Sequence, residues 1–452
     1  MKKQIQTIAL VVFSGIIGAC EKELDRIQPS QSISTEVALS TSENIKNILI
    51  GAYSEAGEST LYGGYLHLMT ELLAITDQAS WVGTFAQPRQ AFTKSLLVDN
   101  SFVRDIWLKA YATINQANLV IDHIDIVEPE GQTLALGEAK FIRAMAYFDL
   151  VRNFGLPYEA GQQNSQLGVP LSLTGIVDYS GDLNIARNSV EEVYAQIILD
   201  LNDAYNSLPP NNGVFADRYA AQALLATVYL QQGNYAMARD AANDVIENSG
   251  HTLAASYGLA FNNDVNSTED LFAFQVTTQD GSNNLVIHYA AESDGGRGGD
   301  IIIEDAYLDL FDDVDDDRGN FVYINPANGK QLTLKYTNQY GNIPMIRLAE
   351  MYLVRAEANF RENSAIGDTP LNDINALRDR ANASLLGAVD LDVILLERQL
   401  ELAFEGKLLN DLKRTQRPVG ARPYNDNGLV FPIPQRELDA NPLLEPNPGY
   451  GI

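Results

Sequence analysis

"ALLATVYLQQGNYAMARDAANDVI", residues 223–246, decides the fold of this chain. Leu225, Ala226 and Tyr229 lie before Gly233, and Tyr235, Ala238 and Ala242 lie after it, at helical spacing on both sides. Small residues let two antiparallel helices approach closely, and Gly233 makes the tight turn between them. The pattern is that of a tetratricopeptide helix pair. "IRLAEMYLVRAEANF" (346–360) repeats the first half, with Leu348, Ala349, Tyr352 and Ala356 at the same relative places. "WLKAYATINQANLVI" (107–121) is a weaker echo that puts Trp107 in a helical core. Several such pairs are expected to stack into a short solenoid.

Further helices surround these. In "GEAKFIRAMAYFDLVRNFG" (137–155), Phe141, Ala144, Met145, Phe148 and Val151 share one face, and Gly155 and Pro157 end the helix. Ser189 and Glu192 have capping-box spacing. Thr369 is a cap with Pro370 at the first helical position. Between Leu253 and Ile343 the helical period is lost. "DLFAFQV" (270–276) and "NLVIHYAA" (284–291) read as strands, and "FVYINPANGKQLTLKY" (321–336) as a hairpin turning at Asn328-Gly329. The expected fold is mostly α: tetratricopeptide-like pairs in a short solenoid, with a long irregular insertion containing short strands and hairpins. The expected division is a helical region over 42–252, the insertion over 253–343, and a second helical region with a Pro-rich tail over 344–452.

The N-terminus has its own logic. Lys2 and Lys3 precede an apolar run from Ile8 to Ile17, and Gly18-Ala19 stands before Cys20, the only cysteine. Residues 1–19 read as a signal peptide too short to span a bilayer permanently. A cysteine just after two small residues reads as the acylated first residue of a bacterial lipoprotein, so 20–41 is a lipidated linker and Cys20 the membrane anchor. One cysteine forms no intramolecular disulfide. With 59 acidic against 31 basic residues, the net charge of −28 argues against nucleic acid or an anionic lipid surface as partner.

Catalytic motifs are lacking. The four histidines share no spacing, and no H-E-x-x-H, P-loop or nucleophile elbow occurs. The glycines of "DGGRGGD" (294–300) lack the lysine and strand–loop–helix setting of a phosphate cradle, and suit a loop with positive φ. In "DDVDDDRG" (312–319), Asp313, Asp315 and Asp317 alternate like calcium ligands, without the bidentate glutamate that completes such a loop. No cofactor is expected beyond this calcium candidate. The candidate binding segment is "ELLAITDQASWVGTFAQPRQ" (71–90). Trp81, one of two tryptophans, stands there with Phe85, Asp77 and Arg89 nearby. An aromatic face beside an acid and a guanidinium suits sugar rings. Packing of Trp81 beneath a loop is the other reading. Tyr289 and Arg297 of the insertion could complete the site.

Seven of these segments, in this order, resemble the SusD/RagB outer-membrane lipoproteins of Bacteroidetes. They are the Cys20 lipobox followed by acids, 137–155, 219–238, 344–358, 371–381, "ERQLELAFEGKLLNDLKR" (397–414) and "FPIPQRELDANPLLEPNPGY" (431–450). Lys407 and Asn410 depart from the pattern, where relatives often carry His/Arg and Phe. The resemblance implies a lipid-anchored, cell-surface, non-enzymatic protein on the outer membrane. It would act as the lid of a TonB-dependent SusC-like barrel that imports oligosaccharide. It also implies ligand contacts near Trp81 and near 285–300, and it makes Glu21 and Glu23 an export signal to the outer face. Peptide cargo for a related importer, a surface glycosidase and a ligand-free scaffold are the alternatives.

Overall fold

The computed structural model describes residues 35–277 and 281–451. The expected leader, Cys20, Glu21 and Glu23 lie outside the described residues. In chain order the first elements are α1 (Thr35–Ala38), α2 (Ser42–Gly57), α3 (Tyr65–Ala74), β1 (Ala79–Trp81), α4 (Ala86–Phe92), α5 (Ser101–Asp122) and α6 (Pro129–Phe154). Then come α7 (Val190–Ser207), α8 (Arg218–Gln232), α9 (Tyr235–Asn248), β2 (Asp270–Phe274), α10 (Asn284–Tyr289), β3 (Ile301–Ile303) and α11 (Asp305–Leu308). The chain finishes with β4 (Val322–Ile324), β5 (Gln331–Thr333), β6 (Ile343–Arg347), α12 (Leu348–Arg361), α13 (Pro370–Arg380), α14 (Leu391–Glu401), α15 (Leu408–Arg414) and α16 (Gln435–Ala440).

The protein is mostly helical, and local chemistry sets its helix ends. The Ser189 hydroxyl and the Glu192 carboxylate form the reciprocal capping box of α7. Thr369 caps α13, whose first residue is Pro370. Gly233 ends α8 with φ of 71°, a conformation that costs glycine nothing, and α9 turns back against α8. Helices pack as neighbours α2 on α5, α6 on α7, α8 on α9, and α12 on α9 and α13. Ala226, Ala238, Ala242, Ala349 and Ala356 are fully buried, which brings these axes close. Trp107 is buried with its ring edge-on to Phe154 at 5.0 Å.

Among the described residues the strands form three separate antiparallel two-stranded sheets, β1–β3, β2–β6 and β4–β5, the first of which ties residues 79–81 to the segment expected as an insertion. "DLFAFQV" contains strand β2, and the hairpin β4–β5 turns through Asn325–Lys330 with Gly329 at φ of 74°. "NLVIHYAA" is not a strand. It forms helix α10, because Asn283 caps the Leu285 N–H and burial of Leu285, Val286, His288 and Tyr289 overrides the strand propensity of the run.

A buried ionic lattice joins the insertion to the C-terminal helices. Arg347 reaches Glu269 at 2.6 Å, Glu401 at 3.0 Å and Glu405 at 2.7 Å, with every partner buried. Arg380 also holds Glu269 and Glu401, and Lys335 holds Glu405. Burial pushes Glu401 up, but Arg380 and Arg347 outweigh it and keep its carboxyl at about 2. Arg318, Arg378 and Glu397 extend the lattice on one side, and Glu350, Arg398, Asp411, Arg414 and Glu357 on the other. Of the two departures from the resembled pattern, Lys407 pairs with Glu350 at 3.1 Å. Asn410 is buried with neither amide atom partnered, a polar group at a position built for an apolar one.

Candidate functional site

Sheet β1–β3 builds the site by joining two segments some 220 residues apart in the chain. Its register pairs Ala79 with Ile303, Ser80 with Ile302 and Trp81 with Ile301. The Val82 and Gly83 N–H groups then both donate to the Asp300 carbonyl, at 2.8 and 3.2 Å, which staples turn 82–84 to loop 295–300. In that loop Gly295, Gly298 and Gly299 have φ of 91°, 82° and 79°. A Cβ on Gly299 would sit 2.3 Å from the Leu332 side chain, and the loop folds back on α10 through Arg297 N–H to Ile287 O and Asp300 N–H to His288 O. The glycines therefore serve the loop turn expected of them.

Strand alternation decides the fate of the tryptophan. Ala79 and Trp81 point inward, and Trp81 is only 5% exposed. Its indole lies 5.7 Å from the His288 ring, and its Nε1–H has no partner. Trp81 thus packs beneath the turn and offers no open face to a sugar, which corrects the reading of it as a stacking platform. The close packing explains Gly83, where a Cβ would come within 2.6 Å of the indole and 2.7 Å of the Asp300 carboxyl.

Phe85, at the start of α4, is the aromatic that reaches solvent, 38% exposed. Its ring touches Phe102 at 6.2 Å and meets the His288 ring edge-on at 6.1 Å. The Arg297 guanidinium lies over it, 4.5 Å from the ring centre. Arg297 Nε donates to Asp300 Oδ2 at 3.1 Å and its Nη2 to Thr84 Oγ1 at 3.1 Å. Asp300 is buried and also pairs with His288 Nδ1 at 2.9 Å. Arg89 is exposed on α4, and its Nη2 donates to the Gly83 carbonyl at 2.6 Å.

Phe85, Arg89 and Arg297 therefore meet at one exposed patch, backed by buried Trp81. Asp77 is exposed before β1, where its carboxylate accepts from the Thr76 hydroxyl and touches none of these residues. Tyr289 does not join the patch either. It is 1% exposed, packed on Tyr336 at 5.0 Å and Phe404 at 6.3 Å, because one step along α10 from His288, buried against Trp81 and Phe85, turns the side chain toward a different part of the core. Sequence reasoning missed His288, Asp300 and Thr84, which become neighbours of the patch only through the β1–β3 pairing. At the calcium candidate, the Asp313 carboxyl is held at about 2 by the Ser384 hydroxyl and by the Asp315 and Ser384 N–H groups that donate to it. The Asp317 N–H donates to Ala381 O. Among the described residues no three His, Cys, Asp or Glu side chains gather as a metal site, and Asp313, Asp315 and Asp317 do not form one.

The patch joins a flat guanidinium–aromatic layer to hydrogen-bond donors, a surface suited to a hydroxyl-rich ring. At the other end of α10 opens a cleft of about 680 Å³, with Asn284, Tyr53, Phe215 and Phe274 in its walls. Carboxyls pushed up by burial, Glu71 to about 7 and Asp270 and Asp373 to about 6, are all buried away from the patch. Among the described residues no helix is long and apolar enough to cross a membrane.

Two family profiles match the chain. One, described as starch-binding associating with outer membrane, matches residues 23–230, and the SusD family profile matches residues 184–428. A SusD-like protein of Formosa agariphila is 26% identical over 99% of this chain and 100% of its own. A SusD superfamily crystal structure from Bacteroides thetaiotaomicron superposes with a TM-score of 0.80 at 26% identity, covering 90% of this chain and 100% of that one. A putative sugar binding protein from Bacteroides vulgatus gives a TM-score of 0.80 at 26% identity, over 93% and 100%.

Proposed function

Because the chain belongs to the SusD/RagB family, we propose that it is an oligosaccharide-binding protein of the outer membrane and not an enzyme. It would be anchored at the cell surface by lipid on Cys20 and would serve as the lid of a TonB-dependent SusC-like barrel. The observation that carries the binding role is the exposed Phe85 ring layered with Arg297 and flanked by Arg89. A ring face takes the C–H side of a sugar, and the guanidinium donors take its hydroxyls. The sugar-binding description of the Bacteroides vulgatus structure and the starch-binding description of the family profile support the cargo class. A binding role is further supported by the carboxylates. A glycosidase needs an acid and a second carboxyl set at a fixed separation, whereas Asp300, at the patch, is buried and tied to His288 and Arg297.

The test is calorimetric titration of the chain with a panel of oligosaccharides, alongside Phe85→Ala. Binding that weakens at least tenfold in the variant supports the site. Release of new reducing ends on incubation would show a hydrolase, and binding of peptides with no glycan would make the cargo a peptide.

A further inference from the structure

The charge arrangement of the patch points to the class of sugar, an inference that rests on the oligosaccharide reading above. Most lysines and arginines among the described residues have a carboxylate partner, as in the lattice around Arg347. Arg89 and Lys330 are among the minority that have none within ion-pair distance, as are Lys94, Arg187, Arg218, Lys413 and Arg436, but only these two are tied to this junction. Both are tied to backbone at the same junction. Arg89 donates to Gly83 O, and Lys330 Nζ donates to Gly299 O at 2.7 Å. Arg297 is bonded to Thr84 and Asp300 of the same turn and loop.

Three cations therefore converge where turn 82–84 meets loop 298–300. Two carboxylates face them. Asp300 is already shared by His288 and Arg297. Glu292 accepts from the Asn325 amide, and its carboxyl is held low by backbone and Asn325 hydrogen bonds and by Lys330 nearby. Arg89 is left with no carboxylate within ion-pair distance. Arg89 and Arg297 also keep guanidinium N–H groups that bond nothing within the protein. A guanidinium fork matches an oxyanion in two parallel hydrogen bonds, which a sugar hydroxyl cannot reproduce.

We propose that the Arg89–Arg297–Lys330 cluster seats the oxyanion of an acidic sugar, a carboxylate or a sulfate carried on one unit of an otherwise neutral oligosaccharide. Sparse charge follows from the rest of the surface, since a densely anionic chain is repelled by a protein at −28. The cluster then does two things. It selects acid-bearing cargo, and it fixes the register in which the chain lies across Phe85.

The experiment is calorimetry on the full chain in detergent with matched pairs of probes. Xylotetraose is compared with the same chain bearing one glucuronic acid, and lactose with lactose 3′-sulfate. The remaining pairs are built the same way, on neutral backbones from the oligosaccharide panel. The expected result is an acidic member that binds about tenfold or more tighter than its neutral twin. That preference should fall to parity in Arg89→Gln and Arg297→Gln. Which pair shows it separates carboxylate from sulfate. Arg436→Gln, at an exposed arginine with no bond to Phe85, Arg89, Arg297 or Lys330, should retain it. Both test arginines are exposed, and thermal unfolding by circular dichroism checks that the variants are folded. Equal or tighter binding of neutral members overturns the acidic assignment and leaves the oligosaccharide reading standing. An acidic preference that survives both substitutions overturns the assignment to this cluster. No binding by any member removes both readings together.

Discussion

Trp81 and Phe85 are four residues apart, and replacing each by alanine should do opposite things. Trp81 is 5% exposed, so Trp81→Ala empties a core position. A tryptophan buries up to about 250 Å², which at about 25 cal/mol/Å² sets an upper limit near 6 kcal/mol. Large-to-small series at aromatic core sites give about 3–5 kcal/mol. Part of this is offset, because the indole Nε1–H has no partner and its removal relieves a buried donor worth about 1–3 kcal/mol. A net loss of about 2 kcal/mol is expected, the middle of that cost less the middle of that relief. Phe85 is 38% exposed, and its truncation should cost about 1 kcal/mol of stability while removing the ring from the patch. Urea unfolding followed by intrinsic fluorescence measures the first quantity, and oligosaccharide titration measures the second. Trp81→Phe sharpens the comparison, since it keeps most of the apolar bulk, drops the orphaned donor and should recover most of the stability. If Trp81→Ala unfolds at the wild-type urea concentration yet abolishes binding, the indole is an exposed contact and the burial argument fails.

Two further outcomes test the interior. Arg347→Met leaves Glu269, Glu401 and Glu405 with only Arg380 and Lys335 as ion-pair partners and Arg318 further off, so one buried carboxylate lacks a paired counter-charge. The expected loss is about 3–5 kcal/mol at pH 7, and adding Glu401→Gln, which restores the balance, should return much of it in urea unfolding; no recovery would sink the charge argument. Glu401 is depressed in the fold, so its stabilising contribution is present above the unfolded carboxylate range of about 4.3 and is lost as pH falls toward about 2. In Arg347→Met the unpaired carboxyl is raised instead, so the deficit against wild type should shrink below about pH 5. Asn410→Leu should gain about 1–3 kcal/mol, because it replaces a buried, unpartnered amide with an apolar group of similar size. A urea midpoint that falls would mean the amide has a partner that the geometry does not show.

Much of this protein was legible before folding, because much of it is local. Gly233 between two small-residue helices, the Ser189–Glu192 capping box and Thr369-Pro370 each act within a few residues, and each appears where the sequence puts it. The order of seven motifs placed the chain in its family, since each motif is a run of neighbouring residues. What failed was what depends on distant partners. "NLVIHYAA" has the composition of a strand, but its neighbours bury one side of a helical turn, so it became α10. Trp81 looked free among small and polar residues. It is covered because β1 pairs with β3, more than two hundred residues later, and alternation turns its indole inward. Tyr289 and His288 are adjacent in sequence and both buried, yet a helical step of about 100° packs one on Tyr336 and the other beneath the patch against Trp81 and Phe85. The sequence by itself determined the helical body, because helix signals are short-range. Only the tertiary structure decided which aromatic meets solvent and which cations share a surface, since those facts belong to pairs of segments that the chain joins last.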